Sequence, residues 1–418
     1  MNVRPLTGRH FLLASLALFA LIIQIGTSRA QRADAWISDQ SPSPSVVNCS
    51  DIPGKIDEIT AVTSTKEWVE VDCNLNLDPK HQSITKQIRI SGSAASGITI
   101  DCNGAKIDGR PGNHNGLKMD TIQIRSVKSG GVWNRPERIT IRDCQVFGRI
   151  HMTGMDQNFS EFKASSWLFN YVSTVRTTSP RHVTLENMTI TGLGRIPVYV
   201  GPGVTYFSLL DSEIKGVAEM AIYLDAESGY NSIIDNYIHV DTDDREQMAI
   251  DASSQNRVLN NRFSGLEHVG IFLYRNCGQD FASRHTTPNN NTIANNLFYY
   301  DSYTGPMPAV WIGARNRNRS NIEPNRYIPP GFCDNDDDES NFGSGVSDLD
   351  YARYNVVMQN RINKRSVNSM ILQGHSGLQS NRNDTDTPNY VGYNTTTHYS
   401  AVPSSQRSGM LRWRWVFG

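Results

Sequence analysis

The chain has 418 residues, a formal net charge of −1 and 19% charged residues. That near-neutral balance argues against a general nucleic-acid binder, which would carry a basic surplus. Length alone allows two or three domains, but a repeat architecture relaxes the count, because it grows by adding units rather than by enlarging one core.

The N-terminus has the layout of an export signal. Arg4, Arg9 and His10 form a basic start, Phe11 to Ile25 is apolar, and Ser28-Arg29-Ala30 puts small residues around a cleavage point. The apolar run is short for a span of roughly 20 residues, so residues 1–30 are expected to be removed, with an uncleaved anchor as the alternative. A secreted or periplasmic location follows, with no membrane span in the cleaved chain. Residues 31–46 carry Ser-Pro-Ser-Pro and are expected to be a linker. Residues 47–94 are less regular and are expected to cap whatever follows. The six cysteines are even in number and show no C-x-x-C spacing, so disulfides are favoured over a zinc site. The expected pairs are Cys49–Cys73, Cys102–Cys144 and Cys277–Cys333.

Strand patterns begin with "GITIDCNGAKIDG" at 97–109 and continue with "TIQIRS" and "RITIRDCQVFG". Apolar residues alternate with period two, β-branched residues dominate, and turn formers bound each run. Residues 155–180 break the pattern and are expected to form an excursion. From Val183 to Asp301 the pattern repeats, as "TLENMTI", "LLDSEI", "IIDNYI", "VLNNRF" and "TIANNLF". Its register residues are Asn187, Ser212, Asn236, Asn261 and Asn296, at spacings of 25, 24, 25 and 35. Asp143 is expected at the same position one coil earlier, and Asn360 one coil later. Strand-like units at such a period indicate a solenoid in which equivalent residues stand above one another. Asparagine suits a left-handed turn position, and stacked amides can hydrogen-bond up a ladder. The insertion at 314–352 holds the acidic run Asp334 to Glu339, expected to be a solvated loop. Residues 376–418 lose the period and are expected to be an irregular tail.

These repeats resemble the right-handed parallel β-helix superfamily, the pectin-lyase-like fold, most closely over 183–300. The resemblance implies an all-β solenoid over residues 95–375, with an irregular N-terminal cap and long C-terminal insertions and tail. The superfamily holds polysaccharide lyases, glycosidases, epimerases, phage tailspikes and non-enzymatic adhesins. This chain lacks the D-P-H-[DE] tetrad of alginate epimerases and the N-T-D, D-D, G-H-G series of polygalacturonases. Fold alone does not assign an activity.

A second strand set reads "PVYVG", "AIYLD", "MAID", "GIFLY" and "AVWIG". Period-two alternation sends Tyr199, Tyr223, Ala249, Phe272 and Trp311 outward in one column. Gly201, Asp225, Asp251, Tyr274 and Gly313 form a second. Aromatic rings in a line suggest an exposed binding surface, and flat rings suit sugars. Neighbouring strands lie about 4.8 Å apart, so Asp225 and Asp251 are expected to stand close together. Three outcomes are open for such a pair. One carboxyl could keep its proton, giving an acid and a base near the roughly 5–5.5 Å separation of retaining glycosidases. The pair, with Glu227, could bind Ca²⁺ through hard oxygens. Or it could be relaxed by solvent, turn amides or a neighbouring arginine. Tyr274 and Arg275 are placed to assist proton transfer and to grip a carboxylate. His268, in the turn before that strand, is a further substrate-binding candidate. The expectation is an exported enzyme acting on a polysaccharide, either a lyase or a glycosidase. The competing expectation is a non-catalytic glycan-binding or adhesin-type surface protein.

Overall fold

The protein is described as a computed structural model covering residues 46–63, 67–78, 83–110, 120–242, 245–276, 282–300, 308–314, 352–363, 371–375 and 389–396. Its described strands form three parallel sheets of ten strands each, plus one short antiparallel hairpin, Val127–Ser129 with Val132–Asn134. Within each sheet successive strands pair with their counterparts in the neighbouring coils, so the described chain is a parallel β-helix. One coil shows the pattern. Ile222–Leu224 lies in the first sheet, Ser232–Ile234 in the second and Tyr237–Thr242 in the third.

The register explains the alternation seen in the sequence. In the second sheet alternate residues point inward, and Leu185, Leu209, Ile233, Val258 and Ile293 stand above one another. All five are buried in one continuous core. The third sheet stacks Ile190, Ile214, Ile238, Phe263 and Phe298, with the two phenylalanine rings 5.0 Å apart and nearly parallel. Burying one such aliphatic side chain contributes about 1.5–3 kcal/mol.

Two asparagine ladders hold the turns. Between the second and third sheets, the backbone N–H of Asn236 donates to Asn261 Oδ1 at 3.0 Å, Asn261 donates to Asn296 at 2.9 Å, and Asn296 to Asn360 at 2.9 Å. Each Nδ2 also donates to the next amide oxygen and to a carbonyl of the coil below, so the buried amides are satisfied. A second ladder joins the first and second sheets through Asn231, Asn256, Asn291, Asn355 and Asn389. Each of these lies five positions before a member of the first ladder, or of its continuation at Asn394.

Several expectations are corrected by one residue. Asn187 and Asp143 are not in the ladder. Met188 occupies that level, its N–H donating to Ser212 Oγ, while Asn187 Nδ2 bonds the Asp143 side chain at the surface. The left-handed position is the residue before the ladder, held by Asp143, Asn187, Asp211, Asp235, Asn260 and Asn295. Asp and Asn tolerate that conformation because a short polar side chain relieves it locally. The motif therefore has two adjacent polar positions, one for backbone curvature and one for the buried bond.

The coils also extend further than expected. Trp68–Glu70 and Gln87–Ser91 already pair in the first sheet, so much of the expected cap at 47–94 is coil. The cap proper holds the short helix Lys55–Thr60 and is tied to the first coil by Cys49–Cys73. At the other end, Tyr390–Gly392 and Thr395–Thr396 add a rung within the expected tail. That rung keeps both ladder residues, Asn389 and Asn394, and an insertion had hidden its spacing. Cys102–Cys144 is a disulfide, as expected. Cys277, Cys333, the acidic run, residues 1–45 and the C-terminal segment lie outside the described residues. The excursion at 155–180 is two helices, Phe159–Ser165 and Tyr171–Thr178.

Substituting the buried ladder residue in Asn261→Ala should lower stability by about 1–3 kcal/mol, because it leaves amide groups of neighbouring coils unsatisfied. Asn187→Gly, at the exposed left-handed position, should change it by only a few tenths of a kcal/mol, roughly. Urea unfolding of the two variants checks the difference, and equal losses would contradict the one-residue shift.

Candidate functional site

The first sheet carries the two outward columns in the expected register. Tyr199 pairs with Tyr223, Tyr223 with Ala249, Ala249 with Phe272, and Phe272 with Trp311. Asp251 pairs with Tyr274 in the second column. The column continues towards the N-terminus through His151 and Gln123.

Exposure departs from expectation. Tyr223, Ala249, Phe272 and Tyr274 are buried in a satellite apolar cluster with Ile196, Met220 and Val269, and Tyr199 and Trp311 lie at its margins. Phe272 and Trp311 stack on each other at 5.0 Å, so their facing surfaces are already in use. The expected open aromatic strip is therefore a packed layer, accessible in part at Tyr199 and Trp311. Outward from the coil does not mean towards water when turns and loops fold back over the sheet.

The carboxylates are also covered. Arg284, on the loop that lengthens the coil by ten residues or so relative to its neighbours, reaches both. Its Nη1 lies 3.2 Å from Asp225 Oδ1 and 2.6 Å from Asp251 Oδ2. Each aspartate further accepts a phenol one coil below. Tyr199 Oη donates to Asp225 Oδ2 at 2.5 Å, and Tyr223 Oη to Asp251 Oδ2 at 2.5 Å. The Ala226 and Asn276 backbone amides complete the two carboxyls. Burial, joined by the Asp225 charge, pushes the Asp251 carboxyl above its usual range against the pull of Arg284. Burial and the Asp225 carboxylate hold the Tyr199 hydroxyl far above its ordinary value. Tyr223 is raised in the same way, by burial first and then by both aspartates.

Glu227 holds the loop itself. Its carboxylate accepts the His285 N–H at 2.6 Å, the Thr286 N–H at 3.1 Å and the Thr286 hydroxyl. The loop also docks on the helical excursion, where Ser283 N–H donates to Ser166 Oγ and His285 Nε2 lies 2.8 Å from the Ser166 carbonyl. Asp225, Glu227 and Asp251 therefore do not fit the calcium cage raised from the sequence. A guanidinium stands between the two aspartates, and the glutamate oxygens are taken by loop donors. No cluster of three or more metal-ligating side chains occurs among the described residues.

The remaining candidates are walls of this layer. The Tyr274 hydroxyl donates to Glu246 Oε1 at 3.2 Å and accepts from Arg245 at 3.3 Å, deep in the protein. Arg275 Nη1 donates to the Arg284 carbonyl at 3.2 Å, so it braces the loop that carries Arg284. His268 is half-buried in the turn leading to Ile271–Tyr274.

Three participants escaped the sequence reading. Arg284 was hidden because loop direction is not encoded in the period; only the long 35-residue step marked a segment able to fold back. Asp156 comes from the excursion. Its Oδ2 lies 3.6 Å from where a Gly201 Cβ would sit, so it extends the carboxylate column through the gap that glycine leaves. It is fixed by the Thr153 hydroxyl at 2.7 Å and the Gly154 amide, and burial raises its pKa. Asp120 lies on the Asp120–Arg125 strand and pairs with His151 and Arg149. Its signal was present, since His151 falls in the outward column, but its partner is 31 positions away.

The sequence matches the family model described as "Right handed beta helix region" over residues 149–307. Among solved structures, the surface adhesin PfbA of Streptococcus pneumoniae is similar at 10% identity and a TM-score of 0.44, covering 76% of this chain and 73% of its own. An alginate lyase from Paenibacillus sp. str. FPU-7 is similar at 12% identity and a TM-score of 0.31, covering 76% and 93%. A mutant tailspike protein of E. coli bacteriophage HK620, in complex with a pentasaccharide, is similar at 10% identity and a TM-score of 0.35, covering 77% and 54%. No curated protein matches the sequence.

Arg284→Met should cost about 3–5 kcal/mol, since it leaves two buried carboxylates without their counter-ion. The sign with pH follows from the raised Asp251 value. A carboxyl raised in the folded state contributes stability below its ordinary value of 3.8 and loses it as pH rises through the folded value. Removing Arg284 raises that carboxyl further. The loss should thus be small below about pH 4 and grow towards about pH 7, as read by urea unfolding at both.

Proposed function

We propose that this right-handed β-helix protein is an exported enzyme that cleaves glycosidic bonds in a polysaccharide lying along the open part of the first sheet. The observation that carries this reading is the Tyr199–Asp225 hydrogen bond at the point where the column passes from exposed to buried. Breaking a glycosidic bond requires a proton for the departing oxygen. Tyr199 keeps its phenolic proton at neutral pH, raised by burial and then by the Asp225 charge, and in this reading the hydroxyl turns that proton from Asp225 to the departing oxygen. Asp225 orients the phenol, and Arg149, whose guanidinium lies 4.5 Å over the Tyr199 ring, stabilises the tyrosinate left after transfer. Tyr223 and Asp251 repeat the arrangement one coil on beneath Arg284, where they support the site rather than touch substrate. Trp311 and Tyr199 supply the accessible aromatic surface for sugar rings. The two described disulfides suit an oxidising compartment outside the cytosol. No described helix is long and apolar enough to cross a membrane.

The second reading, a glycan-binding surface protein without catalysis, is favoured by one observation: Arg284 already neutralises the buried aspartates, which a purely structural role would also require.

A panel of neutral and acidic polysaccharides, incubated with and without EDTA, tests both. Unsaturated ends that absorb in the ultraviolet indicate elimination, and new reducing ends without them indicate hydrolysis. Tyr199→Phe should lower kcat by about 10²–10⁴-fold while its melting curve stays close to the parent. Binding without products would establish the second reading, and neither binding nor products would overturn both.

A further inference from the structure

Next to Tyr199 stands a histidine–carboxylate pair that the acid role leaves unused. His151 is the residue before Tyr199 in the outward column, on Arg149–Thr153. Its Nδ1 lies 3.0 Å from Asp120 Oδ2, and its ring meets the Tyr199 ring edge-on with centroids 5.0 Å apart. Asp120 is held as a carboxylate. Burial alone would push it up, but the His151 hydrogen bond and the nearby Arg149 and Arg195 guanidiniums bring it below its usual range. Arg149 Nε lies 3.2 Å from Asp120 Oδ1, and Gln123 Nε2 donates to Oδ2 at 3.3 Å. An ionised acceptor at Nδ1 fixes the proton on that nitrogen and leaves the lone pair on Nε2. Nε2 makes no hydrogen bond to the described residues, and the side chain keeps 16% of its surface exposed. Asp225 and Asp251, in contrast, are enclosed beneath Arg284.

We propose that His151 is the general base of this site and that Asp120 is its positioning residue. The inference rests on the glycan-cleaving reading and adds the group which that reading lacks. In the bond-breaking step His151 Nε2 takes one proton, from an attacking water in hydrolysis or from a sugar C–H in elimination. Tyr199 gives its phenolic proton to the departing glycosidic oxygen as the C–O bond breaks. The imidazolium then returns its proton to the tyrosinate, so both groups are restored and no other reactant is consumed. The separation of labour is physical. The base must be reachable and neutral, whereas the acid must hold its proton until the C–O bond breaks. The groups facing the imidazole are Asp120, Gln123, Arg149, Asp156 and Tyr199, with Arg195 acting through Asp120.

Two measurements test the dyad. Nitrogen NMR of histidine-labelled protein at neutral pH should show His151 with its proton on Nδ1, and Asp120→Asn should lose that tautomer; a wild-type proton on Nε2 would overturn the proposal. On a glycan that the wild-type protein cleaves, kcat/KM should fall at acid pH, because an imidazolium has no lone pair with which to accept a proton. His151→Gln and Asp120→Asn should each lower kcat by about 10²–10⁴-fold and lose that acid limb, with KM little changed. His151→Asn and the melting curves control for misfolding. Turnover with an unchanged pH profile in the folded variants overturns the dyad alone. No turnover by the wild-type protein on any glycan overturns the cleaving reading, and the catalytic role of the dyad with it.

Discussion

From Asn231 onward each described coil places a buried polar turn over the one before it, and the asparagine amide is what makes that possible. A parallel coil turns its backbone inward at each corner, where the N–H groups would lose water without gaining a partner. The asparagine side chain supplies an acceptor to the coil on one side and a donor to the other, at nearly constant distances from Asn236 to Asn394. Fixing the corner fixes the register, and a fixed register aligns the Ile, Leu and Val columns of the core. The outward columns follow from the same constraint, including the one that brings His151, Tyr199 and Tyr223 into line.

The candidate site shows what happens when that regular scaffold meets irregular additions. The sheet alone would leave Asp225 and Asp251 as a bare like-charged pair. The helical excursion adds Asp156, and the long loop adds Arg284, with Glu227 gripping the loop backbone. Charge compensation closes one stretch of the column, while the stretch around His151 and Tyr199 keeps some access to solvent. Exposed and enclosed ionisable groups thus stand within one column, and such a contrast is how a site separates a proton acceptor from a proton donor.

The columns were readable because alternation and coil spacing are both properties of local sequence. Tyr199, Tyr223, Phe272 and Trp311 follow from a period of two within strands and about 25 between them. The ladder was readable to within one residue. Aspartate sits beside serine in "LLDSEI" and beside asparagine in "IIDNYI", and only the backbone angles tell the curved position from the buried one. The second ladder carried the same signal five positions upstream, at Asn231, Asn256 and Asn291, in less conspicuous surroundings. Exposure was misjudged because alternation distinguishes inside from outside of the coil, not outside from solvent.

By itself the sequence determined the class of fold, the coil register and which side chains leave the coil, because each depends on spacing along the chain. The tertiary structure decided which of those side chains meet water and which ion faces which. Those outcomes depend on where the 155–180 excursion and the 282–290 loop return to the sheet, and a loop's path is set by its contacts at the far end. Arg284 reaches Asp225 across 59 positions of sequence, and His151 finds Asp120 across 31. No local period encodes either meeting. It takes the whole stack of coils to bring the partners together.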